Sequence, residues 1–212
     1  MKLPESLKYA LLAGFGIWLV LKGWMVWQAM QEPPSAIVVL GGGIRREMQA
    51  ATLARAYPDL PVLVSSGSTL PCLYRVFVQE QNVGWQRLTV DFRAVDTLTN
   101  FTALLPYLQS GKHKKVFVVV SRGQWQRAAV LGWSIWGSQG IVMEPVRVEG
   151  VGHHESLPKL LRDTVRALAW VVMGDVTVDY LYYSGADLDH QRTLRHSRCE
   201  LGRADLPDHL SE

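Results

Sequence analysis

The stretch that decides the fold is Ala36-Ile37-Val38-Val39-Leu40-Gly41-Gly42-Gly43-Ile44-Arg45-Arg46. Five apolar residues run into three glycines, and a basic pair opens the next segment. A strand covered on both faces reads as such an unbroken apolar run. Glycines let the backbone turn sharply and approach a ligand with no Cβ in the way. Residues 45–57 are rich in Ala, Arg, Met, Gln and Leu, all good helix formers. Strand, glycine turn and helix together present free N–H groups and a positive helix end to an anion. The triplet suits a tight turn in an α/β core equally well. It matches neither G-x-G-x-x-G nor G-x-x-x-x-G-K-[ST], so no nucleotide cofactor is assigned.

Toward the N-terminus, Tyr9 to Met30 is almost wholly apolar, with Lys22 as the one charge inside it. As a helix these residues would span about 33 Å, enough to cross a bilayer. Lys22 is expected to snorkel to the far interface, and Trp18, Trp24 and Trp27 suit an aromatic belt there. No small-x-small cleavage site follows, which favours an uncleaved anchor over a signal peptide. Lys2 and Lys8 precede the span. The expected orientation has a cytoplasmic N-terminus, with the domain on the outer, periplasmic side of the inner membrane. Residues 1–35 form the anchor and its linker, closed by Pro33-Pro34.

Beyond the glycines the chain alternates. Strands are expected near 36–40, 62–65, 87–90, 116–120 and 141–148. Helices are expected near 44–57, 73–81, 96–109, 123–136 and 156–173. Alternation of this kind implies an open, mostly parallel five-stranded sheet with helices on both faces, over a domain of 36–183. In the last helix Leu157, Leu160, Leu161, Val165, Leu168 and Val172 recur at helical spacing, which reads as a core face. Residues 184–212 are polar and aperiodic and read as a loosely ordered tail. Hydrophobic residues make up 48% of the chain and the net charge is +3, too mild a balance to argue for a nucleic-acid partner. Cys72 and Cys199 lie far apart without metal-ligand spacing; they read as two unpaired thiols, with a disulfide as the alternative outside the cytoplasm.

Ligands of open parallel sheets bind beyond the carboxyl ends of the strands, where the strand order reverses. The residues delivered there are Gly41, Gly42, Gly43 and Arg45; then Ser65, Ser66, Gly67 and Ser68; then Asp96, Thr97 and Asn100; then Ser121, Gln124 and Arg127. Small hydroxyls, glycines and arginines are what a phosphate site requires. Each has a plainer duty as well. The serines can make turn bonds, and Asp96 or Thr97 can cap a helix, which is the commoner role. Arg45 and Arg46 point different ways on a helix, so at most one faces the crevice. His153-His154-Glu155 lacks a third ligand cluster, and no metal site is assigned.

Four of these motifs, in this order, resemble the bacterial YdcF/SanA/ElyC family of envelope proteins. They are Val39 to Arg45, Ser65-Ser66-Gly67, Asp96-Thr97-Leu98-Thr99-Asn100, and Ser121 to Ala128. The resemblance covers about residues 36–175. It implies a Rossmann-like domain, often periplasmic, and a role in envelope biogenesis around peptidoglycan or its lipid carrier. It would make the partners a membrane and an anionic small molecule or lipid-linked phosphate. Two positions depart from the family pattern. Ser68 stands where the family has a second glycine after its serine, and Gln124 stands where it has a histidine. Glutamine cannot exchange a proton near neutral pH. Catalytic residues therefore stay unassigned, with Asp96 and Gln124 as candidates, and binding without turnover stands as the alternative to catalysis.

Overall fold

The computed structural model describes residues 4–41, 43–149 and 156–174. The expectations at Gly42, at His153-His154-Glu155 and in the 184–212 tail lie outside the described residues. Five strands form one sheet: β1 (Ile37–Leu40), β2 (Val62–Ser65), β3 (Leu88–Asp91), β4 (Lys115–Ser121) and β5 (Val142–Val148). The order is β3-β2-β1-β4-β5 and every pairing is parallel. The chain moves outward from β1 to β3 and then crosses back to place β4 on the other side of β1. The strand order therefore reverses between β1 and β4, and a crevice opens beyond their carboxyl ends.

The unbroken apolar run of β1 is explained by the two cores. Val38 and Leu40 pack into the cluster beneath α4 (Thr97–Ser110) and α5 (Trp125–Ile135). Ile37 and Val39 pack into the other, beneath α2 (Ile44–Ala56) and the helical stretch that begins with α3 (Leu70–Tyr74). Alternate residues of a strand face opposite ways, so a strand buried on both faces must be apolar at every position. The expected helix at 73–81 begins earlier, at Leu70. It continues from α3 as a wider π-helical turn over Arg75–Gln79. Pro71 sits in its first turn, where a missing N–H costs nothing.

The N-terminal segment forms a helix, α1 (Glu5–Gln31). Among the described residues no helix is long and apolar enough to cross a membrane. The expected role of Lys22 changes. Its ammonium donates to the Ser138 carbonyl at 2.6 Å, fastening α1 to the turn before β5. Lys115 donates to the Met30 carbonyl at 3.4 Å, and Ala29 is buried. The last turns of α1 thus rest at the amino ends of β4 and β5, the sheet edge opposite the crevice. Trp18, Trp24 and Trp27 remain exposed.

The last helix, α6 (Leu157–Met173), overturns its expectation. Leu157, Leu161, Val165, Leu168 and Val172 face outward, while Asp163, Arg166 and Ala167 are buried. The physical reason is electrostatic. Asp163 and Arg166 find partners of opposite charge on α5 and at the start of α4, which draws the charged side of the helix inward. Cys72 overturns its expectation too: it is fully buried and disulfide-bonded, not a free thiol, while Cys199 lies outside the described residues.

Candidate functional site

A cavity of about 490 Å³ lies beyond the ends of β1 and β4. Gly41 and Gly43 border it from the β1 turn, and Ser66, Gly67 and Ser68 from the β2 turn. Asp96, Thr97 and Asn100 enter from the start of α4, and Val120, Gln124 and Arg127 from the β4–α5 junction. Stretches far apart in sequence thus meet at one point. Its volume falls within the usual range for small-molecule pockets.

The β1 turn needs glycine for steric reasons at one position only. A Cβ on Gly41 would collide with the Ser65 and Ser66 carbonyl oxygens and stand 2.7 Å from the Ser66 carbonyl carbon. The β1 and β2 turns can touch because Gly41 has no side chain. Gly43 has open space, its nearest neighbour being the Arg46 guanidinium at 3.7 Å, and its backbone is extended. As the residue before α2 it supplies no side-chain cap. The positive end of α2 thus begins at Gly43, beside the cavity.

The β2 turn carries backbone strain. Ser66 has a φ of 47°, in the left-handed region that non-glycine residues rarely occupy. It is held there by its amide, which donates to the Asp91 carbonyl at 2.6 Å, and by its hydroxyl, which donates to the Ala94 carbonyl. Strain that the surroundings impose in this way concentrates at binding sites. Next to it, a Cβ on Gly67 would stand 2.7 Å from Val64 Cγ1 and 2.9 Å from Glu47 Oε1. The Ser68 amide donates to that Glu47 oxygen at 2.6 Å. Ser65 donates to Asn100 Oδ1 at 2.8 Å, tying the β2 end to α4.

Asp96 performs the plainer of its two expected duties. Its carboxylate accepts from the Thr99 amide and hydroxyl, both at 2.8 Å, while Thr99 Oγ1 accepts from the Asp96 amide at 2.9 Å. These bonds make a capping box at the start of α4. Its other oxygen accepts from Arg166 at 2.7 Å. Burial raises the Asp96 pKa, but Arg166 and Thr99 together outweigh it and hold the carboxyl below its ordinary value. A carboxylate so stabilised is a weak base near neutral pH.

Two arginines reach the cavity, and one differs from expectation. Arg45 is exposed on the outer side of α2 and does not border the cavity; Arg46 does. Arg46 is buried and donates to Gln124 Oε1 at 3.1 Å. A helix turns about 100° per residue, so two adjacent arginines cannot both face one crevice. Arg127 borders the cavity as expected, but its guanidinium also donates to Asp163 at 3.3 Å. Ser121 is not in the lining: it is the last residue of β4, paired with Val148 of β5, and Val120 takes its place at the cavity wall.

Sequence reasoning missed Glu47, Asp163 and Arg166. Glu47 carried a weak signal, an acidic side chain in the first turn of a helix that follows glycines. Asp163 and Arg166 carried another, opposite charges three residues apart within an apolar helix. Among the described residues no cluster of His, Cys, Asp or Glu could hold a metal ion. Glycines, hydroxyl residues and two arginines line one concave surface, a set of groups that anion sites use. No protein-family model, no curated protein and no solved structure matches this chain.

Proposed function

We propose that this chain is a membrane-anchored α/β domain of the YdcF/SanA/ElyC type that binds a phosphate-bearing ligand and serves cell-envelope biogenesis. The observation that carries the reading is the meeting of Gly41, Gly43, Ser66, Gly67, Thr97, Asn100, Arg46 and Arg127 around one cavity at the strand-order reversal. The ligand is an anionic small molecule or a lipid-linked phosphate, held by the amides of the glycine turn and by Arg46, with Arg127 beside it. The anchor is α1, in which the stretch from Tyr9 to Met30 carries Lys22 as its one charge. A domain on the periplasmic side agrees with the Cys72 disulfide, since disulfides persist in oxidising compartments.

Within this reading, binding without turnover is favoured over catalysis by one observation. Both catalytic candidates are committed elsewhere. Asp96 caps α4 and pairs with Arg166, and Gln124 accepts from Arg46. The lining contains no histidine among the described residues. The test is mass spectrometry of what co-purifies with the detergent-extracted protein, compared between the unaltered chain and Arg46→Ala. A phosphorylated compound retained by the first and lost from the second is the expected result. Equal recovery from both, or no phosphorylated compound from either, would overturn the ligand assignment. Turnover of the recovered compound would overturn the non-catalytic reading alone.

A further inference from the structure

α1 and the cavity are attached to opposite poles of the sheet. Lys22 donates to the Ser138 carbonyl at 2.6 Å, and Lys115 donates to the Met30 carbonyl at 3.4 Å. A Cβ on Gly140 would stand 3.6 Å from Met25 Cβ. Ser138 and Gly140 precede β5 and Lys115 opens β4, so all three contacts lie at the amino ends of the strands. The cavity lies past the other ends, beside Val120 and Gln124. β4 runs for seven residues between the two poles, about 20 Å at the usual rise of a strand. Val116 to Val120 are buried alternately in the two cores, so the route along β4 is packed throughout. The amino pole also carries the groups that meet headgroups. Lys112 and Lys114 are exposed on the turn before β4, in a hollow they share with Gln139. Lys115 is answered by Glu144 at 3.1 Å, and Glu32 follows the end of α1, so cations remain in excess around the docked helix. Trp18, Trp24 and Trp27 stay exposed on α1. Lysines and tryptophans at one level mark the place where a spanning helix leaves the hydrocarbon.

From these two poles we infer that the domain stands on the bilayer by the amino ends of its strands, and that the cavity, facing away, takes a dissolved phosphate ester and not a lipid-linked phosphate. The inference rests on the reading of α1 as the anchor and of the cavity as an anion site, and it chooses between the two ligand sources that this reading admits. Arg46 and Arg127 suit the phosphate from either source, so recognition does not separate them; position does. A phosphate on a lipid lies at headgroup level, the level of Lys22. To enter the cavity it would have to rise by about the length of β4, roughly 20 Å. That rise draws the methylenes of its own chain into water, and each one exposed weakens the lipid's hold on the bilayer. A phosphate ester free in water meets no such penalty. The volume of about 490 Å³ leaves room for a small organic group beside the phosphate.

The experiment uses the full chain reconstituted in vesicles of phosphatidylcholine and phosphatidylglycerol. A fluorescent amino acid replaces either Gln139, exposed at the amino pole, or Arg122, exposed at the carboxyl pole outside the cavity lining. Lipids bearing a nitroxide on the headgroup should quench position 139 several-fold and leave position 122 unquenched. The second arm compares one phosphate ester in two forms: glycerol 3-phosphate in solution, and phosphatidic acid, which carries the same ester on a lipid. Glycerol 3-phosphate should bind the reconstituted chain, and Arg46→Ala should weaken it about tenfold or more. Phosphatidic acid added to the same bilayer should change that binding by less than about twofold, since its phosphate stays at headgroup level. Equal quenching at the two positions overturns the inference, and so does strong competition by phosphatidic acid. The readings beneath it are tested apart. A chain that does not float with the vesicles refutes the anchor. A floating chain that binds glycerol 3-phosphate equally well with Arg46→Ala refutes the anion site. A chain that passes both checks and is quenched at position 122 as strongly as at 139 refutes the inference alone.

Discussion

Arg127 of α5 and Asp163 of α6 meet at 3.3 Å beside the candidate cavity, and both are buried or nearly so. Asp163 also lies 2.8 Å from Arg162 and 3.4 Å from Arg166, and Arg166 reaches Asp96 at 2.7 Å. One carboxylate thus gathers three guanidinium groups and links the last helix to the cap of α4. Removing one partner from a buried network leaves uncompensated charge, which costs about 3–5 kcal/mol. Asp163→Ala is expected to lower the unfolding free energy by that amount in urea titrations. At Asp163→Asn the shape is kept and the counter-charge on Arg127 is lost. Calorimetry with inorganic phosphate should then show tighter binding than for the unaltered chain.

The two arginines that open α2 should separate cleanly. Arg46 is buried at the cavity and Arg45 points to solvent. Hydrogen bonds to charged groups contribute about 1.5–3 kcal/mol, so Arg46→Ala should weaken phosphate binding by about tenfold or more. Arg45→Ala should leave it within about twofold, since surface changes away from such features are small. Arg46→Lys, which keeps charge without the planar fork, should fall between them.

The glycines of the β1 turn should not behave alike. At Gly41 a methyl group would overlap main-chain atoms of the β2 turn, which cannot retreat without parting β1 from β2. Gly41→Ala is expected to cost about 3 kcal/mol or more, read as a loss of folded protein or a large fall in Tm. Gly43→Ala should change stability by about 0.5 kcal/mol or less, because its Cβ finds open space.

The pH dependence of stability has two sources of known sign. Burial holds the His113 ring, 2.9 Å from the Ser35 hydroxyl, below its ordinary pKa. Its contribution is full above the unfolded value of about 6.5 and is lost as pH falls through the lower folded value. Asp96 is also depressed, so its contribution is full above about 3.9 and lost on further acidification. Thermal melts should show Tm declining from near neutrality, and His113→Gln should remove the first part of that decline while leaving the second.

Thiol titration of the denatured, unreduced chain should find Cys72 unreactive, because it is disulfide-bonded. Reduction should lower stability by about 2–5 kcal/mol, measured as a shift in Tm.

The order of strands and helices was legible in the sequence because local signals carry it. Ala36 to Leu40 could only be a strand covered on both faces, and the glycines after it could only be a turn. From there the alternation of short apolar runs with helix formers led to a parallel sheet, and the rule for such sheets pointed to the strand ends where the cavity lies. Which neighbour of a pair faces inward was a different matter. Arg45 against Arg46, and Ser121 against Val120, differ by one residue, and a one-residue step reverses a strand face and turns a helix by about 100°. The sequence also could not say that the charged side of α6 is the buried one. A periodic apolar stripe marks a face but not its direction. Direction came from Arg127 and Asp96, on elements distant in the chain, which offered Asp163 and Arg166 opposite charges in a place shielded from water.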